Sequence, residues 1–304
     1  MSFRPSQFLS YKTSDPSRKI NFLDEKSSDD LNHLFIEVLN GGLHGICFSL
    51  YEDGQKPGDI ISEDQIRRRM QILKPFVKWV RTFSCTEGNE LIPQIAKEFG
   101  IQTLVGAWLG KDDEKNRNEI NGLISLAKAG CVDIAAVGNE VLYRNDLSMD
   151  ELLGYITEVK KAIPKVPVGY VDAYYEFVRH PELVNISDVI LANLYPFWEG
   201  TPVEYSLGHM MSMYSQVKNV ANGKQIIISE TGWPTKGESL GGAVPSPQNA
   251  LRYFINAQLW AMDEGIDMFY FSSFDESWKV SDEGEVGAFW GIWDKHEKLK
   301  FPPK

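Results

Sequence analysis

The chain has 304 residues, 43% hydrophobic and 12% aromatic, with a formal net charge of −11. That apolar content can bury a substantial core, either as two ordinary domains or as one large α/β barrel. The acidic balance argues against nucleic acid or an anionic membrane as partner, since both demand clustered Lys and Arg, and it suits a neutral substrate.

Residues 1–19 contain no apolar stretch long enough for a signal-peptide core, and nothing later approaches a membrane span of about 20 apolar residues. The protein therefore either stays in the cytoplasm or is secreted, to the cell wall for example, with its leader removed. Residues 29–39 predict a helix ahead of the first strand, which makes 1–43 an N-terminal extension and helix. Eight short apolar runs follow, near 45–50, 79–83, 102–107, 133–137, 167–171, 189–194, 225–229 and 268–272. Each is continuous rather than alternating, as parallel strands covered on both faces are.

Amphipathic segments separate these runs. Ser62, followed by Glu63 and Asp64, has the character of an N-cap before an acidic first turn, and its helix runs towards Lys74 before Pro75. The charge run 113–119 reads as a solvated helix start, and 118–129 ends at Gly130, placed as a C-terminal glycine is. Residues 149–163 stop before Pro164, and 245–264 open with prolines, which a first turn tolerates. With no linker, repeat or low-complexity tract, the pattern predicts a single catalytic (β/α)8 TIM barrel over 1–304. A doubly wound sheet is the rival, but it calls for a glycine fingerprint after the first strand that 41–45 do not supply.

Three cysteines, Cys47, Cys85 and Cys131, have no paired spacing and read as buried small hydrophobes. His33, His44, His180, His209 and His296 form no ligand-spaced pair and read as structural or surface residues. Residues 237–242 read as a flexible loop overhanging the cleft.

In such barrels the chemistry sits at the C-terminal ends of the strands. Strand one runs into Tyr51, strand three into Trp108 and strand four into Asn139 and Glu140. Strand six runs into Asn193, Tyr195, Phe197 and Trp198, and strand seven into Glu230 and Trp233. Strand eight leads to Glu276, Trp278 and Lys279. Carboxylates, amides and aromatics match a carbohydrate, whose hydroxyl edges want polar partners and whose apolar faces stack on rings. Two carboxyls flanking a sugar can divide the cleavage of a glycosidic bond between proton donor and nucleophile. Glu140 and Glu230 are the pair expected to do so. Of Trp108, Trp198, Trp233, Trp278, Trp290 and Trp293, half are expected to be plain packing.

The motifs Val137-Gly138-Asn139-Glu140-Val141 and Ile228-Ser229-Glu230-Thr231-Gly232-Trp233-Pro234 resemble the two signatures of glycoside hydrolase family 17. Phe274-Asp275-Glu276-Ser277-Trp278-Lys279 matches the family's motif after its last strand, and Gly291-Ile292-Trp293 resembles its barrel-closing segment. The likeness extends over about 45–294. It implies a retaining enzyme on β-1,3-glucan, a glucanase or a glucanosyltransferase. Glu140 would be its acid/base, Glu230 its nucleophile and Asn139 the partner of the sugar 2-hydroxyl. Glu276 and Lys279 would orient the nucleophile, and Tyr195 would line the same subsite.

The resemblance implies no cofactor and no metal. The partners are a β-1,3-glucan or laminari-oligosaccharide substrate and acceptor, and the expected state is a monomer. Phe48 stands where many relatives carry tyrosine, so one hydroxyl is missing. The segments AVPSP and FDESWK are closer to the microbial branch than to plant glucanases. Rival readings are a barrel glycosidase for β-1,4-mannan or β-1,4-glucan, and a non-catalytic glucan-binding barrel. A retaining pair predicts carboxyls about 5–5.5 Å apart.

Overall fold

The computed structural model describes Leu23 and residues 26–302. The rest of the predicted N-terminal extension lies outside those residues. Eight parallel strands close into one barrel in sequence order. They are β1 (Leu43–Cys47), β2 (Val77–Arg81), β3 (Gln102–Ala107), β4 (Ile134–Asn139), β5 (Val168–Ala173), β6 (Ile190–Asn193), β7 (Ile226–Thr231) and β8 (Asp267–Tyr270). All eight predicted runs fall on strands, and the expected (β/α)8 architecture is the observed one. Closure by β1–β8 pairing leaves no edge strand exposed.

Helices alternate with the strands for reasons visible locally. Ser62 accepts a hydrogen bond from Gln65 N–H at 3.2 Å and caps Glu63–Leu73, as expected. Ser148 and Glu151 form a capping box on Met149–Ala162, whose acidic first turn and Lys160 and Lys161 in the last turn suit the helix dipole. Ser246 caps Pro247–Glu264, and this helix ends at Gly265 with φ 64°, the left-handed conformation that glycine adopts without strain. The polar-rich helix Val203–Val220 carries no strong periodic signal in sequence. Its buried face of Leu207, Met210, Met213 and Val217 is set by packing on the barrel.

The helix Ser28–Asn40 precedes β1 as predicted. Its Phe35 ring packs 5.0 Å from Phe254 on the last long helix and 5.2 Å from Phe301 near the end of the described chain. Inside the barrel, the Phe269 ring of β8 lies so close to Gly45 of β1 that a Cβ there would stand 2.5 Å from it, so only glycine fits.

Cys47, Cys85 and Cys131 are free and buried, as expected. Residues 237–242, expected as a flexible loop, instead lead into a closed turn. Leu240 and Ala243 exchange backbone hydrogen bonds at 3.0 and 2.9 Å, and Gly242 N–H donates to the Gly200 carbonyl at 2.8 Å. Docking of this turn on the segment after β6 supplies the order that its glycine-rich sequence concealed. Among the described residues no helix is long and apolar enough to cross a membrane.

Candidate active site

The strand ends converge on two carboxylates. Glu140 directly follows β4, whereas Glu230 is the penultimate residue of β7 rather than beyond it. Strand register shifts between Ala136 and Asn139, between Ala192 and Asn193, and between Ile228 and Thr231. Such irregularities re-aim side chains beside active sites, and here they occur on the three strands that deliver Asn139, Asn193 and Glu230. Glu140 itself has φ 51°, in the left-handed region.

One amide bridges the pair. Asn193 Nδ2 donates to Glu140 Oε1 at 2.9 Å and to Glu230 Oε1 at 3.1 Å. The two Oε1 atoms therefore lie no further apart than the two bonds laid end to end, about 6.0 Å. Ser229 Oγ donates to Asn193 Oδ1 at 2.8 Å, which fixes the amide with its nitrogen towards the carboxylates. Glu230 Oε2 accepts from the Tyr195 hydroxyl at 2.7 Å.

Arg81, the last residue of β2, is the member that sequence reasoning missed. Its Nη1 donates to Glu230 Oε1 at 2.7 Å and its Nη2 to Asn139 Oδ1 at 2.7 Å, with only 1% of the residue exposed. Burial opposes the Arg81 charge, but the Glu230 carboxylate outweighs it and holds the guanidinium cationic. The Cys47 thiol, 3.6 Å from Nη1, is itself pushed up to about 12 by burial and stays neutral. The signal was available, because VKWVR ends in a cation at the same strand end that carries the carboxylates.

Below β8, Glu276 accepts from Tyr51 N–H at 3.0 Å and pairs with Lys279 Nζ at 2.7 Å. Burial opposes the Lys279 charge, yet Glu276 and Glu283 raise its pKa overall. The ammonium lies 4.3 Å from the centroid of the Phe271 ring. Glu283, on the short helix Val280–Glu283, is a further carboxyl not foreseen. Burial pushes it up to about 7, Glu230 and Glu140 add to the rise, and Lys279 opposes it.

The aromatic candidates separate into two groups. Trp108 is 43% exposed, with the Arg144 guanidinium 4.5 Å over one face and its backbone N–H donated to Glu119 at 3.1 Å. Trp198 and Trp278 are half-buried. Phe197 and Trp233, named as sugar-binding candidates, are buried against each other at 5.2 Å, and the Trp233 indole N–H donates to the Val244 carbonyl at 3.1 Å. They have no face left for a sugar and instead support the floor of the site. Trp290 and Trp293 are buried as well, so half of the six tryptophans are packing residues.

Of the histidines, His209 is buried and hydrogen-bonded to Glu199 at 2.7 Å, and His44 lies 3.0 Å from Asp267 on the barrel wall. Among the described residues no three His, Cys, Asp or Glu side chains cluster as metal ligands.

A closed parallel barrel whose mouth holds two bridged carboxylates amid amides and aromatics defines a barrel glycoside hydrolase. More narrowly, the chain belongs to glycoside hydrolase family 17, since the BtgE/BtgC glycoside hydrolase domain matches residues 45–291.

It is similar to the glucan 1,3-beta-glucosidase BGL2 of Candida albicans, 29% identical over 76% of this chain and 83% of that protein. It is also similar to the probable glucan endo-1,3-beta-glucosidase btgC of Aspergillus clavatus, 27% identical over 79% of this chain but only 39% of that longer protein. Among solved structures, an active-site mutant of the Rhizomucor miehei beta-1,3-glucanosyltransferase in complex with laminaritriose superposes with a TM-score of 0.77. That protein is 30% identical, over 86% of this chain and 96% of its own.

Proposed function

We propose that the protein cleaves β-1,3-linked glucan by double displacement, retaining the anomeric configuration, and passes the glucanosyl unit to water or to a glucan hydroxyl. The observation that carries this reading is the single Asn193 nitrogen bonded to both carboxylates, with its limit of about 6.0 Å between their Oε1 atoms. Inverting enzymes hold their carboxyls about 6.5–9.5 Å apart to admit a water, whereas retaining ones hold them about 5–5.5 Å apart.

In this reading Glu230 attacks the anomeric carbon and Glu140 protonates the departing oxygen. Glu140 then removes a proton from the incoming nucleophile as the glycosyl-enzyme breaks down. Arg81, Asn193 and Tyr195 donate to Glu230 and aim it. Asn139 gives its Oδ1 to Arg81, which leaves its Nδ2 to donate to the sugar 2-hydroxyl. The Glu276–Lys279 pair completes the polar floor, Tyr51 fixes Glu276 through its backbone N–H, and Trp108 and Trp278 offer apolar surface to sugar faces. The substrate class follows from the family and its named relatives, and the working unit is a monomer.

Incubation with a laminari-oligosaccharide and sizing of the products tests the reading. Products longer than the substrate identify transfer, and shorter ones alone identify hydrolysis. Glu230→Ala should abolish turnover, and azide should then yield a glycosyl azide of inverted configuration. Undiminished turnover in that variant would remove Glu230 as the nucleophile.

A further inference from the structure

Strand β5 carries a buried hydrogen-bonding cluster that the mechanism above does not use. Tyr170 and Asp172 stand two residues apart on it, so both side chains lie on one face, and both are fully buried at 0% exposure. The Tyr170 hydroxyl accepts from Leu142 N–H at 3.0 Å and donates to Asp172 Oδ2. Asp172 Oδ1 accepts from Ala173 N–H at 2.7 Å, and Tyr143 N–H donates to Oδ2 at 3.4 Å. Between these two residues, the Val171 carbonyl accepts from Glu140 N–H at 2.8 Å. Three consecutive residues of β5 thus hold the backbone of 140, 142 and 143.

That segment needs holding. Glu140 sits at φ 51°, a left-handed conformation that brings the Cβ of a non-glycine residue too close to the following carbonyl oxygen. Such strain persists only where the surroundings over-determine it. Gly138, at φ 86°, closes the other side of the turn, where an added Cβ would stand 2.8 Å from Val141 and 3.3 Å from the Tyr170 ring. Neither Tyr170 nor Asp172 has a free edge towards the cleft, so their action on a substrate must pass through Glu140.

We propose that Tyr170 and Asp172 are positioning residues for Glu140, clamping the strained turn after β4 so that its carboxyl meets the glycosidic oxygen. Their charge state suits the task. Burial, reinforced by the charge of Glu140, pushes the Asp172 carboxyl up to about 8, so the clamp sets a neutral group beside Glu140 at acid and neutral pH. Tyr170 on the same strand opposes that rise and Glu176, from the helix that follows, adds to it.

The inference rests on the reading of Glu140 as acid/base, and its test separates the two. Tyr170→Phe, Asp172→Ala, Asp172→Asn and Glu140→Ala would be compared by kcat/KM, which reports glycosylation, on two substrates. One is a laminari-oligosaccharide, whose leaving group needs a proton. The other is the matching 2,4-dinitrophenyl glycoside, whose leaving group does not.

General acid catalysis is worth about 10²–10⁴-fold, and a misplacement of about 1 Å can cost about 10²-fold. Tyr170→Phe and Asp172→Ala should therefore lose about 10–100-fold on the oligosaccharide and under about threefold on the aryl glycoside. Asp172→Asn, neutral and still able to hydrogen-bond, should recover most of the Asp172→Ala loss at pH 6. Equal losses on both substrates, or no loss on the oligosaccharide, would overturn the proposal. Asp172→Asn no better than Asp172→Ala would remove Asp172 from it. Glu140→Ala losing equally on both substrates would instead overturn the reading of Glu140.

Discussion

Replacement of Arg81 is the sharpest test of how the site holds its nucleophile. Arg81→Met preserves much of the apolar stem while deleting the charge and with it the guanidinium that lies 4.3 Å from the Phe83 ring centroid. Glu230 then keeps the Tyr195 and Asn193 donors but loses its cation at 2.7 Å. Opposite charges about 4 Å apart attract by about 4 kcal/mol at an effective dielectric near 20, and removing one partner of a buried pair costs about 3–5 kcal/mol. At about 1.4 kcal/mol per decade, that corresponds to about two to three and a half decades in rate where the transition state needs the compensated carboxylate.

The expected result is a fall of at least about 10²-fold in kcat/KM on a laminari-oligosaccharide. Arg81→Lys restores the charge without the fork that joins Glu230 to Asn139 and should recover part of that loss. If Arg81→Met stays within tenfold of the parent, the role assigned to this ion pair is refuted.

Tyr195→Phe removes the 2.7 Å hydroxyl donor to Glu230 Oε2. A hydrogen bond to a charged group is worth about 1.5–3 kcal/mol, so kcat/KM should fall about 10–100-fold, and a loss under threefold would contradict the assignment. Asp172, raised to about 8 in the fold from an ordinary carboxyl value, binds a proton in the folded state that the unfolded chain has released. Its contribution therefore makes stability decline as pH rises from about 4 to about 8. Asp172→Asn cannot ionise, so its melting temperature should gain on the parent across that window, and a constant difference would show that Asp172 does not titrate there. Gly291→Ala would bring a Cβ within 2.4 Å of Asp275 N, the Phe274 carbonyl carbon and the Trp293 carbonyl oxygen. Overpacking of this kind costs about 1–3 kcal/mol, so thermal unfolding should start several degrees lower, and an unchanged midpoint would refute the tight closure at this segment.

The barrel was legible because parallel strands covered on both faces must be short, continuous and apolar, and Ile226-Ile227-Ile228 or Ala135-Ala136-Val137 can be little else. Glu140 and Glu230 were legible for a related reason, since each interrupts an apolar run at the end where these barrels place their chemistry. The helix cap at Ser62 depends on groups three residues apart, which a sequence displays directly.

Only the tertiary structure decided which of these strand-end residues meet. Arg81 closes β2, and its two bonds reach residues on β7 and β4, so no local pattern announces those partners. Asp172 lies two positions from Tyr170 in sequence, but the backbone it restrains belongs to the turn after β4. Trp108 and Trp233 both follow strands at the same end of the barrel. One is exposed and the other buried because Phe197 and the turn near Ala243 cover Trp233, while Trp108 keeps one face open. Sequence by itself determined the elements, their order and the chemical types at the mouth, because those depend on near neighbours. The distances between the types were decided by barrel closure and by register shifts on β4, β6 and β7, which depend on every strand at once.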